Sequence, residues 1–220
     1  MIKVETFDFL NDLACNNERN WFHLNKARHD AARKDVLNFT AELIQHLSQI
    51  DPLIPESLDP GNCVMRIYRD IRFSKDKTPY KENFGAGISP NGKNFIGPGY
   101  YLHIQPDKCF IAGGCWMPEP ELLRSIRQEI DYNGADLHTI IDNSAFKGYY
   151  GVPESDYKLK TAPKGYDADH PDVELLKLKS FTFSHKLSDK ILMSPDAIKE
   201  VVNGFQILHP FIAFLRNAVS

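Results

Sequence analysis

Residues 66–81 carry Arg66, Arg69, Arg72, Lys75, Lys77 and Lys81, together with Tyr68 and Tyr80. Guanidinium groups present planar, bidentate donors to a carboxylate or phosphate, and ammonium groups add mobile point charge. The chemistry this set suits is capture of a small phosphate- or carboxylate-bearing anion, held so that developing negative charge is stabilised without a metal. Alternation puts Met65, Ile67, Ile71 and Phe73 on one face of a strand and Arg66, Tyr68, Asp70 and Arg72 on the other, with Arg69 interrupting the apolar face. Steps of ~3.3 Å separate Arg66 from Arg72 by roughly 20 Å along a flat strand, so one small ion cannot touch both. A pocket therefore needs the 74–81 loop to fold back. It would combine Arg72 with Lys75, Lys77 and Lys81, or Arg66 with groups of a neighbouring strand. The structural alternative is a salt-bridge ladder of Arg66, Asp70 and Arg72 on a half-exposed sheet.

Proton transfer beside such a clamp needs groups that titrate or hydrogen bond at the right place, and Asp70, Tyr101, His103 and Asp167 are the candidates. Tyr101, His103 and Gln105 alternate onto one strand face, and histidine titrates near neutrality. Gly113 and Gly114 leave room for a ligand or a second backbone to approach. A zinc reading of His103, Cys109 and Cys115 lacks close-paired ligands and a fourth donor, so no metal site is assigned. Lys164 and Tyr166 join the ligand-binding set if their segment closes over the basic strand. Asp167, Asp169 and His170 lie close enough to share a divalent ion, but acidic residues before a helix more simply satisfy its free amides.

The elements that must position these groups change period along the chain. Phe7, Leu10 and Leu13 recur at one turn, with Asn16 and Asn17 as a stop and Asn20 as the next cap. An apolar stripe through Val36, Phe39, Leu43, Leu47 and Ile50 makes 21–50 a helix ending at Asp51 and Pro52. After a loop at 52–62 the middle third alternates, with strands over 65–73, 84–88, 100–105 and 109–116 and a tight turn at 106–108. Helices follow over 119–130, 137–141 and 172–178, with a last one opened by Ser194 and Pro195 and reaching about 218; residues 181–183 make one more strand. The expected fold is α+β: an antiparallel β-sheet core packed by N-terminal and C-terminal helices, in a single domain over 1–220.

Apolar residues at 42% and charged residues at 25% fit a folded globular chain, and a net charge of −3 excludes bulk attraction to nucleic acid or anionic lipid. Any basic site is therefore local. The 4 cysteines contain no C-x-x-C pair and read as reduced, mostly buried thiols. The chain start lacks a signal peptide's pattern and no apolar run is long enough for a bilayer, so the expected location is cytoplasmic, with no membrane partner. No glycine-rich nucleotide loop occurs and no cofactor is implied.

Long blocks in this chain resemble a bacterial family, domain of unknown function 2461. They are the string 63–86, with Asn16, Asn17, Arg19, Trp21, Phe22, Asn25 and Lys26 before it, and the downstream blocks 99–104, Gly113–Gly114 with Trp116 and Pro118, 163–167 and 169–171. The resemblance covers nearly the whole chain. It implies one domain and brings no activity with it. His29, where the pattern leads one to expect tyrosine, and Cys115 beside the glycine pair depart from it, which argues against functional roles there.

The expectation is an anion-binding pocket, acting on a small ligand as an enzyme would. The competing expectation is a non-catalytic module in which Arg66, Tyr68, Arg72 and Tyr80 lie along a nucleic acid or an acidic protein. The first requires a concave site and the second an open, flat one.

Overall fold

Apolar side chains at one-turn spacing form the first helix, α1 (Val4–Cys15), with Phe7, Phe9, Leu10 and Leu13 buried and Asn16 as its C-cap. A computed structural model of the protein describes residues 1–153 and 157–218. The helical stretch expected over 21–50 is two helices, α2 (Arg19–Leu24) and α3 (Lys26–Ile50), and Asn20 lies inside α2 instead of capping it. The break falls at Asn25 (φ −104°, ψ 17°), whose side-chain amide donates to the Trp21 carbonyl at 2.9 Å beside the backbone bond from its own amide at 3.0 Å, so its side chain competes for the last carbonyls of α2.

The sheet follows chain order: β1 (Phe84–Ile88), β2 (Gly99–Ile104), β3 (Phe110–Cys115) and β4 (Phe181–Lys186), all antiparallel. Between β3 and β4 run α4 (Pro120–Ile141), α5 (Ser144–Tyr150) and α6 (Val173–Leu176), and after β4 come α7 (Asp189–Leu192) and α8 (Ala197–Asn217). The expected helices 119–130 and 137–141 are one element, because a kink at Asn133 (φ −124°, ψ 29°) is absorbed within α4. The fold is α+β, and none of its described helices is long and apolar enough to cross a membrane.

The strand expected over 65–73 does not form. That stretch makes only isolated antiparallel bridges, Val64 to Ala86 and Tyr68 to Tyr80, and Phe73 is 95% exposed. Alternating apolar residues specify a strand only where a neighbour pairs with it; past Arg69 this segment turns away.

By internal contact the chain divides into two units interleaved in sequence. One comprises Met1–Asn94, Tyr101–Ile111 and Lys186–Asn203; the other comprises Phe95–Tyr100, Ala112–His185 and Gly204–Ser220. In the first unit α1 packs on α3, burying Phe9, Leu10, Leu13, Phe39, Leu43 and Leu47. The buried Asp35 carboxylate accepts from Thr6 Oγ1 at 2.7 Å and from the Lys3 amide at 2.8 Å, which offsets its desolvation.

The second unit is built on aromatic edges. Phe183 meets Phe146 and Phe211 edge-on at 4.9 Å. Gly114 holds φ 125°, and a Cβ there would stand 1.9 Å from the Phe181 carbonyl, while one at Gly113 would stand 2.4 Å from the Leu208 side chain, so the space opened by the glycine pair is filled by protein.

Candidate functional site

Residues 63–81 fold back on themselves in the first unit. The Met65 amide donates to the Gly85 carbonyl at 2.8 Å and the Gly87 amide to Cys63 at 3.1 Å. Further out, the Arg69 amide donates to Pro79 at 3.0 Å and the Lys81 amide to Ile67 at 2.7 Å. Asn17, just past α1, pins this hairpin by donating to the Tyr80 carbonyl at 3.0 Å and accepting from the Tyr80 amide at 3.1 Å. The Tyr80 ring then stacks on Phe22 of α2 at 4.0 Å and 15°.

The fold-back sorts the basic residues into separate places. Arg66, Tyr68 and Lys81 line an open cleft of about 530 Å³ with His29 and Arg33 of α3 and with Lys93. Tyr68 also lines a neighbouring cleft of about 740 Å³, with Phe22, Arg69, Ile71, Pro79 and Tyr80 among its walls. Arg72, Lys75 and Lys77 line neither cleft. Arg72 makes a bidentate pair with Asp70 at 3.0 and 2.7 Å on the surface, Lys77 donates to the Ile71 carbonyl at 2.9 Å, and Lys75 is exposed. Arg69, expected on a buried apolar face, is half-buried and pairs with Asp76 and Thr78, and the Arg69 guanidinium holds the Asp76 carboxyl down at about 2.

The charges of the first cleft are arranged differently. Among the described residues Arg33, Arg66, Lys81 and Lys93 form no ion pair; Lys93 donates instead to the Gly61 carbonyl at 2.8 Å. Lys81 feels the result: burial lowers its ammonium pKa, and the positive charge of Arg66 lowers it further. His29 is 6% exposed, caged by Phe9, Phe22 and Phe84, with Nδ1 2.9 Å from Asp30 and Nε2 without a hydrogen-bond partner. Burial keeps this imidazole below its ordinary pKa, although the Asp30 hydrogen bond pulls the other way.

The remaining sequence-predicted residues lie elsewhere. Tyr101 Oη is 2.9 Å from His103 Nδ1, and His103 Nε2 is 3.1 Å from Gln105 Oε1, the pattern of a neutral imidazole that accepts from the phenol and donates to the amide. His103 stacks on Phe110 at 4.6 Å, and burial lowers its pKa while raising that of Tyr101 to about 12. Both are tied to protein partners and line neither cleft.

In the second unit Lys164 and Asp167 are exposed, and Tyr166 lies edge-on to His170 at 6.2 Å. His170 accepts the Asp172 amide at Nδ1 (3.0 Å) and meets Asp131 at Nε2 (3.0 Å), so this segment is occupied with structure around the start of α6. Asp172 does not cap α6 with its side chain; it bonds His138 Nε2 at 2.6 Å.

The family model for conserved hypothetical proteins of the type DUF2461 matches residues 5–214. The chain belongs to the DUF2461 family. No curated protein and no solved structure matches the chain. The DUF2461 match takes in α1 from Glu5 onward, α2, α3, the fold-back and both clefts. Within this DUF2461 chain, Arg33 and Lys93 are cationic cleft residues that motif reading passed over, and His29 is a cleft residue for which it argued against a functional role. His29 and Arg33 stand four residues apart on α3 and so share a helix face, a signal available in the sequence but hidden by its distance from the basic segment.

Proposed function

We propose that this DUF2461 protein binds a small phosphate- or carboxylate-bearing ligand in the cleft lined by His29, Arg33, Arg66, Lys81 and Lys93. One observation carries the reading: cations gather there without carboxylate partners, in a chain whose net charge is −3. Like charges held together raise the free energy of the folded state, and an anion placed among them removes that repulsion. The contrast with Arg69 and Arg72 is informative, since their carboxylates sit a few residues away. The cleft is open but has walls from α3, the basic hairpin and Lys93, which suits a compact ligand better than a long polyanion laid along a flat sheet.

His29 adds a group suited to hydrogen bonding or proton transfer at the same wall. Its Nε2 has no protein partner, and a ligand atom that reaches it removes the cost of an unmet buried polar group. Enzymatic action would draw on this imidazole, whose pKa burial lowers and whose other nitrogen lies 2.9 Å from Asp30.

The test is thermal unfolding at fixed ionic strength in chloride against phosphate, sulfate and citrate. A bound anion raises the midpoint by the logarithm of its concentration over Kd, and Arg66→Gln removes that rise. Equal midpoints in all four salts would sink the reading.

A further inference from the structure

Resting on the anion reading of the first cleft, we propose that the two adjoining clefts together receive a phosphate joined to a planar heterocycle, the chemistry of a nucleoside monophosphate. Tyr68 lines both clefts and is 51% exposed, so one ring marks the boundary between them and offers a free face. Behind it lie the stacked pair Phe22 and Tyr80, at 6.2 and 5.5 Å from the Tyr68 ring.

The two clefts differ in what they can satisfy. In the first, Arg33, Arg66, Lys81 and Lys93 lack carboxylate partners among the described residues. In the second, Arg69 is paired with Asp76 and Lys26 with Asp30, so beside the wall of Phe22, Tyr80, Ile71 and Pro79 only Arg19 is a cation without a carboxylate among the described residues, against four in the first. An anionic head therefore belongs in the first cleft and an uncharged flat body in the second. Arg19, Asn20 and His23 edge the second cleft with hydrogen-bonding groups that form no side-chain hydrogen bond or ion pair with the described residues. They suit a ring with heteroatoms at its rim better than a plain phenyl group. Volumes of about 740 and 530 Å³ lie in the range of small-molecule sites, and a nucleotide spans from one to the other across Tyr68.

The experiment is calorimetric titration of the full chain with inorganic phosphate, ribose 5-phosphate, AMP and UMP. We expect a mononucleotide to bind about tenfold or more tighter than ribose 5-phosphate, the size of one base-stacking contact. Tyr68→Ala should erase the ratio between the nucleotide and ribose 5-phosphate affinities, whereas Arg66→Gln should weaken every phosphate alike and keep that ratio. Tyr68→Leu serves if the alanine variant loses its native circular dichroism. Equal affinity for ribose 5-phosphate and both nucleotides overturns this inference and leaves the anion site standing. Failure of all four ligands overturns this inference, and an unchanged midpoint in citrate beside it overturns the anion reading too. Binding of an oligonucleotide without binding of any mononucleotide would replace the inference with an extended nucleic-acid face.

Discussion

The Asn17 carboxamide and the Tyr80 peptide group bond each other reciprocally, at 3.0 and 3.1 Å, so that a side chain stands where a neighbouring strand would otherwise be. This contact joins the end of α1 to the returning arm of the basic hairpin, and with the Phe22 stack it sets where Lys81 arrives beside Arg66. Asn17→Ala leaves both polar groups of the Tyr80 backbone without that partner, and we expect a loss of about 1–3 kcal/mol in urea unfolding. The same variant should weaken the anion-dependent rise in midpoint, since Lys81 follows directly on Tyr80.

Arg66 and Lys81 are expected to separate stability from ligand response. Burial and then Arg66 depress the Lys81 pKa, so deprotonating Lys81, or replacing either residue by a neutral one, relieves repulsion in the folded state. Arg66→Gln should leave chloride-buffer stability unchanged or raise it by less than ~1 kcal/mol, while abolishing stabilisation by phosphate. A variant that loses stability in chloride as well would show that Arg66 is needed for folding itself.

Two groups of histidines should give opposite pH dependence. Burial holds His29 and His103 below the ordinary value of 6.5, so between their folded values and 6.5 the unfolded chain binds more protons. Their contribution is complete above about pH 6.5 and is lost as pH falls through the folded values. His138 is raised, first by its hydrogen bond to Asp172 and then by that to Asp142; its contribution is present below 6.5 and fades as pH rises through its folded value. Urea midpoints should therefore show His103→Gln flattening the acid loss, and His138→Gln destabilising more near pH ~5.5 than near pH ~8.5.

Gly134 lies in α4 against the Asp172 carboxylate, where an added Cβ would come within 2.2 Å of Oδ2. Gly134→Ala gains helix propensity of up to about 1 kcal/mol, yet must push Asp172 off His138. We expect net destabilisation of about 1–2 kcal/mol, and a fall in the His138 pKa measured by NMR titration. An unchanged His138 titration would mean that the carboxylate moves without leaving the imidazole.

The cysteines should react in two classes. Cys15 is exposed, whereas burial raises Cys63 to about 11 and Cys109 and Cys115 to about 12. Because the thiolate is the reactive form, a colorimetric disulfide reagent at pH 8 should modify Cys15 quickly and the others only after denaturant is added. Fast reaction at Cys63 would indicate that the neighbouring cleft opens.

Much of the architecture was legible in residue order, because periodicity records which face of an element is apolar. The stripe through Val36, Phe39, Leu43 and Leu47 marked α3, and alternation marked β1, β2 and β3 nearly to their ends. Local chemistry was legible too: the basic hairpin was identifiable from composition, and its need to fold back from strand length alone. What periodicity cannot carry is the choice of partner. Alternation separates Arg69 from Arg66 and Arg72 but not those two from each other, yet Asp76 neutralises Arg69, Asp70 neutralises Arg72, and of the three only Arg66 is left to meet Lys81, Arg33 and Lys93. Nor could residue order show that Met65 to Phe73 lacks a neighbouring strand beyond its bridges, or that His103 has both ring nitrogens engaged by Tyr101 and Gln105. Those outcomes depend on distances between segments remote in sequence, and such distances are set only when α3, the hairpin and the 92–94 turn close on one another.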